Sequence, residues 1–240
     1  MVNKLKAVSH FLLEGLLPQY CALCGLFSHS PLPLCEHCQR EMPLNTSHCP
    51  CCALPLPEGS PAVLCGRCQQ HRPAFERAAV PLLYGEYLAY LIQQWKYHGQ
   101  QRFTPLLASL WLHRSHVTRP DLLVPVPMHW SRQLRRGYNQ TELLARALVS
   151  HGPALGGVRV DRRLLRRNRA TAAQSGMDAR ARATNLRGAF TVRRRCDSLR
   201  IALVDDVMTT GATADAAASA LLDAGAAGVE IWCLARTPID

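Results

Sequence analysis

Lysine is scarce in this 240-residue chain: Lys4, Lys6 and Lys96 stand against 25 arginines, 28 cationic residues in all. The bias favours planar guanidinium forks, which suit bidentate phosphate recognition, although a GC-rich genome would give the same bias. Long apolar runs are missing too. None approaches the ~20 residues that a helical membrane span needs. No G-x-x-x-x-G-K-[ST] occurs, which excludes a Walker P-loop. The first twenty residues, MVNKLKAVSHFLLEGLLPQY, lack an export signal, because their apolar stretches are broken by His10 and Glu14 and no small-residue cleavage site follows. Leu5, Val8, Phe11, Leu12 and Leu16 recur at helical spacing, so residues 1–18 are expected to form an amphipathic helix ending at Pro18. The expectation is a cytoplasmic protein without a membrane span.

Positive charge is present in excess and unevenly placed. The formal net charge is +11, and between Arg159 and Arg200 thirteen arginines face three aspartates, a local balance of +10. The plain reading is a solvated basic face. The functional reading is a surface that meets something anionic. A hydrophobic fraction of 48% supports a real core, and the length allows one domain of roughly 150 residues with a smaller unit beside it.

Nine of the eleven cysteines fall between Cys21 and Cys68, mostly as C-x-x-C knuckles: CALC, CEHC, CPCC and CGRC. Two residues between thiolates let both sulfurs of a knuckle reach one tetrahedral ion at about 2.3 Å, and two knuckles close a four-sulfur site. The sequential assignment gives Cys21, Cys24, Cys35 and Cys38 to one structural zinc and Cys49, Cys52, Cys65 and Cys68 to a second. Cys51 is then spare. His37 and His48 are alternative ligands, and interleaved pairing stays open. A disulfide framework fits poorly with the missing export signal, and redox chemistry normally wants one exposed pair, not four. This Pro-rich segment lacks apolar pattern, so metal binding would supply its folding energy. Cys196 and Cys233 stand alone and read as buried thiols.

From Ala78 onwards strands and helices alternate. AAVPLLYG reads as strand, residues 86–96 and 104–114 as helices, DLLVPVP as strand and NQTELLARALVS as helix. RIALV, ATADAAASALLDAG and VEIWCLA then close a strand–helix–strand unit. This alternation predicts an α/β fold with a parallel sheet covered on both faces. The expected organisation is a helix at 1–18, a double zinc ribbon at 19–70 and an α/β domain at 78–240.

The stretch RIALVDDVMTTGAT, residues 200–213, carries the chemistry. Ligands of parallel α/β sheets bind outside the carboxyl ends of strands. Asp205 and Asp206 stand at that end of the RIALV strand, and a helix begins just beyond. Gly211 lets backbone N–H groups approach a ligand, and a helix N-terminus favours an anion. The loop Val207–Thr213 can thus cradle a phosphate with N–H groups and the hydroxyls of Thr209, Thr210 and Thr213. The acids repel phosphate but suit hydroxyls or a cation one sugar's width away. The plain alternative is a turn with a helix cap.

IALVDDVMTTGAT closely resembles the phosphoribosyl-pyrophosphate (PRPP) motif of type I phosphoribosyltransferases. The resemblance implies that Asp205 and Asp206 face the ribose as the catalytic pair, while Val207, Thr209, Thr210, Gly211, Ala212 and Thr213 surround the 5-phosphate. VPVPMHWSRQLRRGYNQ (124–140), the arginine-rich block 167–190 and WKYHGQ near Lys96 further resemble the ComF/GntX proteins. That family's layout is a double zinc ribbon joined to a type I phosphoribosyltransferase-like sheet flanked by helices. It implies pyrophosphate binding by Arg132, Arg135, Arg136 and Gly137. A mobile substrate-covering loop would carry Arg169, Thr171, Gln174, Arg180, Arg182 and Asn185.

Two functional readings follow from the resemblance. In one, a magnesium-dependent enzyme displaces pyrophosphate from PRPP with an unknown nitrogen acceptor, serving nucleotide metabolism. Family members are linked to competence, DNA uptake or use of external DNA. In the other, a non-catalytic accessory handles single-stranded DNA, or docks through its ribbons onto the DNA-uptake machinery, and keeps PRPP binding as a sensor. Against the second, WKY is the one obvious basic–aromatic interleaving in the sequence.

Overall fold

The computed structural model of the chain describes residues 19–28, 30, 32–168 and 188–238. The expected helix at 1–18 lies outside them. Two compact units divide at Met42 and Pro43.

In the smaller unit, Tyr20 and Phe27 form an antiparallel bridge and pack edge to face at 6.4 Å. The Cys21 N–H donates to the Leu26 carbonyl, closing the first knuckle. Helix α1 (Glu36–Arg40) starts directly after Cys35 and carries Cys38 inward.

The larger unit begins with the second pair of knuckles and the short helix α2 (Gly66–Gln70). Its sheet comprises β1 (Arg77–Ala79), β2 (Leu82–Leu83), β3 (Leu122–Pro125), β4 (Arg159–Val160), β7 (Arg200–Met208) and β8 (Gly228–Arg236). The order is β1-β8-β7-β3-β4, with β2 also beside β8, and every pairing is parallel. Strands buried on both faces carry continuous apolar runs, and β3 is buried at all four positions. A separate antiparallel pair, β5 (Leu165–Arg167) with β6 (Phe190–Val192), stands off the main sheet. The helices are α3 (Glu86–Tyr97), α4 (Thr104–Leu112), α5 (Trp130–Arg136), α6 (Gln140–His151) and α7 (Ala212–Asp223). The expected α/β class, with a parallel sheet flanked by helices, is what the chain adopts.

Alternation along β7 decides which face each residue serves. Ile201 and Leu203 join Ala214, Ala217, Ala218 and Leu221 of α7 in one cluster, which also takes in Cys49, Cys52, Cys65 and Cys68. The second knuckle pair is therefore part of the larger unit's core. Asn45 stitches it there, donating from Nδ2 to the carbonyls of Ala53 (2.9 Å) and Val80 (3.0 Å). The Leu83 N–H donates to the Pro43 carbonyl at 2.9 Å.

One sequence boundary shifts in an instructive way. The apolar run ends at Val204, but β7 continues to Met208, since Asp205, Val207 and Met208 stay paired with Cys233, Ala235 and Arg236. The acid pair is thus inside the strand and not beyond it. Consecutive strand residues point to opposite faces, so the two acids meet different neighbours.

Candidate functional site

Each cysteine quartet gathers as the sequential assignment expects. The Sγ atoms of Cys21, Cys24, Cys35 and Cys38, and those of Cys49, Cys52, Cys65 and Cys68, lie within 4.8 Å of one another in each group. Neighbouring sulfurs are 3.8 Å apart for Cys24 and Cys35 and 3.6 Å for Cys52 and Cys65. A tetrahedron with metal–sulfur bonds of about 2.3 Å has edges of about 3.8 Å, so both thiol sets fit structural zinc. Cys51 is buried but outside the quartet. Native protein is expected to hold two zinc ions, and Cys35→Ser and Cys52→Ser one each, by elemental analysis. Only Cys52→Ser should strongly lower the melting temperature of the larger unit, because its cluster sits in that unit's core.

At the carboxyl edge of the sheet, Asp205 and Asp206 line a cavity of about 180 Å³ together with Arg132, Arg136, Arg167 and Thr213. Asp206 is buried and held from two sides. Lys96 Nζ lies 2.8 Å from its Oδ1, and Gln140 Nε2 donates to Oδ2 at 2.7 Å. Burial alone would raise its pKa, but the Lys96 charge and these hydrogen bonds keep the carboxyl below its usual range. Asp205 is half-buried, and the charges of Lys96 and Arg167 only partly offset what raises its pKa. Burial, then the Asp206 charge, push it up to about 7.

A carboxyl whose folded pKa is raised destabilises the fold once ionised. The penalty is absent below its unfolded value near 3.8, grows through the window up to about 7 and is full above it. Asp205→Asn is therefore expected to raise the melting temperature by a few degrees at about pH 8, with the gain fading towards about pH 4. Melting curves over that range check this.

The hydroxyl loop follows. Gly211 takes φ +81° at the start of α7, and a Cβ there would approach Met208 Cε to 2.9 Å. Thr210 Oγ1 accepts from the Ala212 N–H at 3.4 Å. Thr209, Thr210, Gly211, Ala212 and Thr213 enclose a small hollow of about 40 Å³ that Asp205 and Val207 also line. Beneath it lies Arg236, 1% exposed. Its Nε donates to the Cys52 carbonyl at 3.1 Å. Its Nη1 donates to the carbonyls of Met208 at 2.9 Å and Thr237 at 3.0 Å, and also to that of Thr209. One guanidinium thus ties the second cysteine cluster to the base of the loop.

The opposite wall is cationic. Helix α5 is fixed by His129, whose Nδ1 accepts from the Ser131 N–H at 3.4 Å, and it ends at Gly137, φ +83°. Arg132 and Arg136 line the 180 Å³ cavity, whereas Arg135 faces an adjoining hollow. Burial, then the charge of Arg132, lower the pKa of Arg167; two guanidiniums aimed at one space suit an anion. Arg169, Thr171, Gln174, Arg180, Arg182 and Asn185 lie outside the described residues. Lys96, Gln140, Arg167 and Arg236 had no assigned role in the sequence. The WKYHGQ block around Lys96 was the signal for the first of them. Gln140 and Arg167 stand at the ends of the blocks 124–140 and 167–190, and Arg236 has no local signal.

The molecule falls in the class of parallel α/β proteins that also carry a double zinc ribbon. The double zinc ribbon domain family matches residues 12–69. The DNA utilization protein YhgH of Salmonella typhi is 37% identical over 229 residues, covering 92% of this chain and 98% of that protein. Competence protein F of Haemophilus influenzae is 31% identical over 216 residues, 85% of each. The chain belongs to the family of these DNA utilization and competence F proteins. A weak structural likeness, TM-score 0.29 at 17% identity, links 59% of the chain to 75% of a purine phosphoribosyltransferase from Pyrococcus horikoshii Ot3. Among the described residues no helix is long and apolar enough to cross a membrane.

Proposed function

We propose that the chain binds PRPP as its magnesium salt and transfers the phosphoribosyl group to a nitrogen acceptor, in the service of DNA utilization. The observation that carries the reading is the meeting, at one sheet edge, of an acid pair, a glycine-opened hydroxyl hollow and an arginine wall. The hollow takes the 5-phosphate through the α7 N-terminus and the threonine hydroxyls. Asp205 faces the ribose hydroxyls and steadies positive charge developing on the sugar, while Asp206, neutralised by Lys96, holds its neighbour in place. The acceptor nitrogen forms its bond to the anomeric carbon as the carbon–oxygen bond to pyrophosphate breaks. Arg132 and Arg136, with Arg135 and Gly137 behind them, meet the leaving charge. The family relationship supports the setting of DNA utilization, which the printed names of the relatives describe.

Equilibrium titration with magnesium PRPP tests the reading. Micromolar affinity is expected, and Thr213→Val should weaken it about tenfold, the worth of one hydrogen bond to a charged oxygen. Affinity unchanged in Thr213→Val would remove the phosphate from this loop.

A further inference from the structure

Strand β1 is an edge of the main sheet, flanked by β8 on one side. Backbone groups along such a strand alternate between its partner and the open side. The Glu76 and Tyr84 N–H groups donate to Val229 and Arg236 of β8, whereas the Pro81 carbonyl and the Leu83 N–H meet Asn45 and Pro43 on the far side. Trp111 Nε1 reaches the Ala79 carbonyl from that side at 3.3 Å, so the odd-numbered residues Arg77 and Ala79 face outward. Residues 43–45 thus begin an antiparallel ladder, with Leu44 opposite Leu82, and then leave it. Where the ladder would continue, a groove of about 530 Å³ opens along residues 77–81, between His48 and Pro50 on one flank and Arg114, Ser115 and His116 on the other.

The polar groups of the groove point to one ligand chemistry. Asn45 is 5% exposed, and its Nδ2 already donates to two carbonyls, which identifies Oδ1 as the acceptor end of the amide. That oxygen is buried with no hydrogen-bond partner, and so is Ser115 Oγ. Orphans of this kind destabilise the empty groove, and a ligand that pairs them relieves the loss. No acidic residue lines the groove among the described residues. Arg77 is matched by Glu230 at 3.1 Å, and Thr118 donates to the same carboxylate at 2.7 Å. Residues 114–116 therefore run past the amino-terminal end of β1 and place the Arg114 charge there, while Leu44, Val80 and Pro81 give apolar surface at the other end. We infer that the groove binds a short free peptide, laid antiparallel along β1 in the place that residues 43–45 vacate. Its backbone pairs with the outward groups of Arg77 and Ala79, its amino end donates to Asn45 Oδ1, and its terminal carboxylate meets Arg114 and Ser115. Five strand residues span about 13 Å, room for roughly three ligand residues, and Pro43–Asn45 already fill the ladder upstream. That stop favours a free peptide over the tail of a longer chain. The inference does not rest on the PRPP reading, since the groove shares no lining residue with the cavities at the acid pair.

The test is calorimetric titration of the zinc-loaded full chain with the tripeptide alanyl-valyl-leucine and with its C-terminal amide. The acid is expected to bind, and the amide to bind at least about tenfold more weakly, the effect of losing one charge-assisted hydrogen bond. Arg114→Gln should weaken the acid by a similar factor and leave the affinity for the amide unchanged, a split that a folding defect would not produce. Ser115→Ala should weaken the acid about fivefold, with the melting temperature and the magnesium PRPP affinity of native protein. Equal affinity for acid and amide would overturn the inference. So would native-like binding of the acid in Arg114→Gln, or no heat at millimolar peptide. Tighter binding of a longer peptide ending in the same three residues would assign the groove to a protein tail, and overturn it as well.

Discussion

Replacing Arg236 with methionine is expected to destabilise the larger unit by about 3 kcal/mol. The guanidinium is buried and satisfies the carbonyls of Cys52, Met208, Thr209 and Thr237. Methionine fills much of the volume but takes the guanidinium donor from the buried Cys52 and Met208 carbonyls and from the partly buried ones of Thr209 and Thr237, a buried carbonyl left unpaired costing about 1–3 kcal/mol. Lysine at this position should not rescue, because a point-like ammonium cannot reproduce the planar fork. Urea unfolding at constant zinc checks the figure, and a loss under about 1 kcal/mol would refute this account of the clamp. The same contact carries a functional consequence. Cys52 belongs to the second cysteine quartet, while Met208 and Thr209 lead into the loop proposed to hold the phosphate. Stripping zinc from the native chain should therefore weaken PRPP binding without any direct contact between metal and ligand.

Lys96→Met is expected to cost about 3–5 kcal/mol at neutral pH, because it strands Asp206 as a buried, uncompensated charge. The pH dependence separates this from a simple packing defect. In native protein the Asp206 carboxyl is held low, so its stabilising contribution is present above the unfolded value of 3.8 and lost as pH falls through the folded one. Burial lowers the pKa of Lys96, but Asp206 overcomes this and raises it, so both partners are charged at neutral pH. Without the cation, burial pushes Asp206 upward, and the variant's deficit grows as pH rises from about 4 to about 8. Asp206→Asn in the Lys96→Met background should recover a large part of the loss, and a double-mutant cycle measures the coupling. A deficit independent of pH would mean that the ion pair contributes nothing beyond packing.

What the sequence made legible was local chemistry. C-x-x-C spacing is a property of four residues, and it identified both quartets in their sequential pairing. Apolar runs marked β3, β7 and β8, and period-3.6 patterns marked α3, α6 and α7 to within a residue or two. Contacts between distant stretches were not legible. Arg236 meets Cys52 across 184 positions and Gln140 meets Asp206 across 66; nothing in either neighbourhood requires the other. The β5–β6 pair was missed because its strands of three residues, rich in arginine and threonine, bury too little to show a period. The unequal fates of Asp205 and Asp206 also needed the fold. Only once β7 is seen to run through them does alternation send Asp206 to Lys96 and Gln140 and turn Asp205 towards the hydroxyl hollow.

That inequality points to the most direct measurement. Asp205→Asn and native protein should be titrated side by side with magnesium PRPP in a calorimeter, with melting curves recorded on the same samples. Micromolar binding by native protein, weakened at least about tenfold in a variant that melts higher, is the expected result for a carboxylate kept at the cost of stability to hold a ribose. Equal affinity in the two proteins, or no heat from native protein at millimolar PRPP, would contradict a PRPP site at this sheet edge.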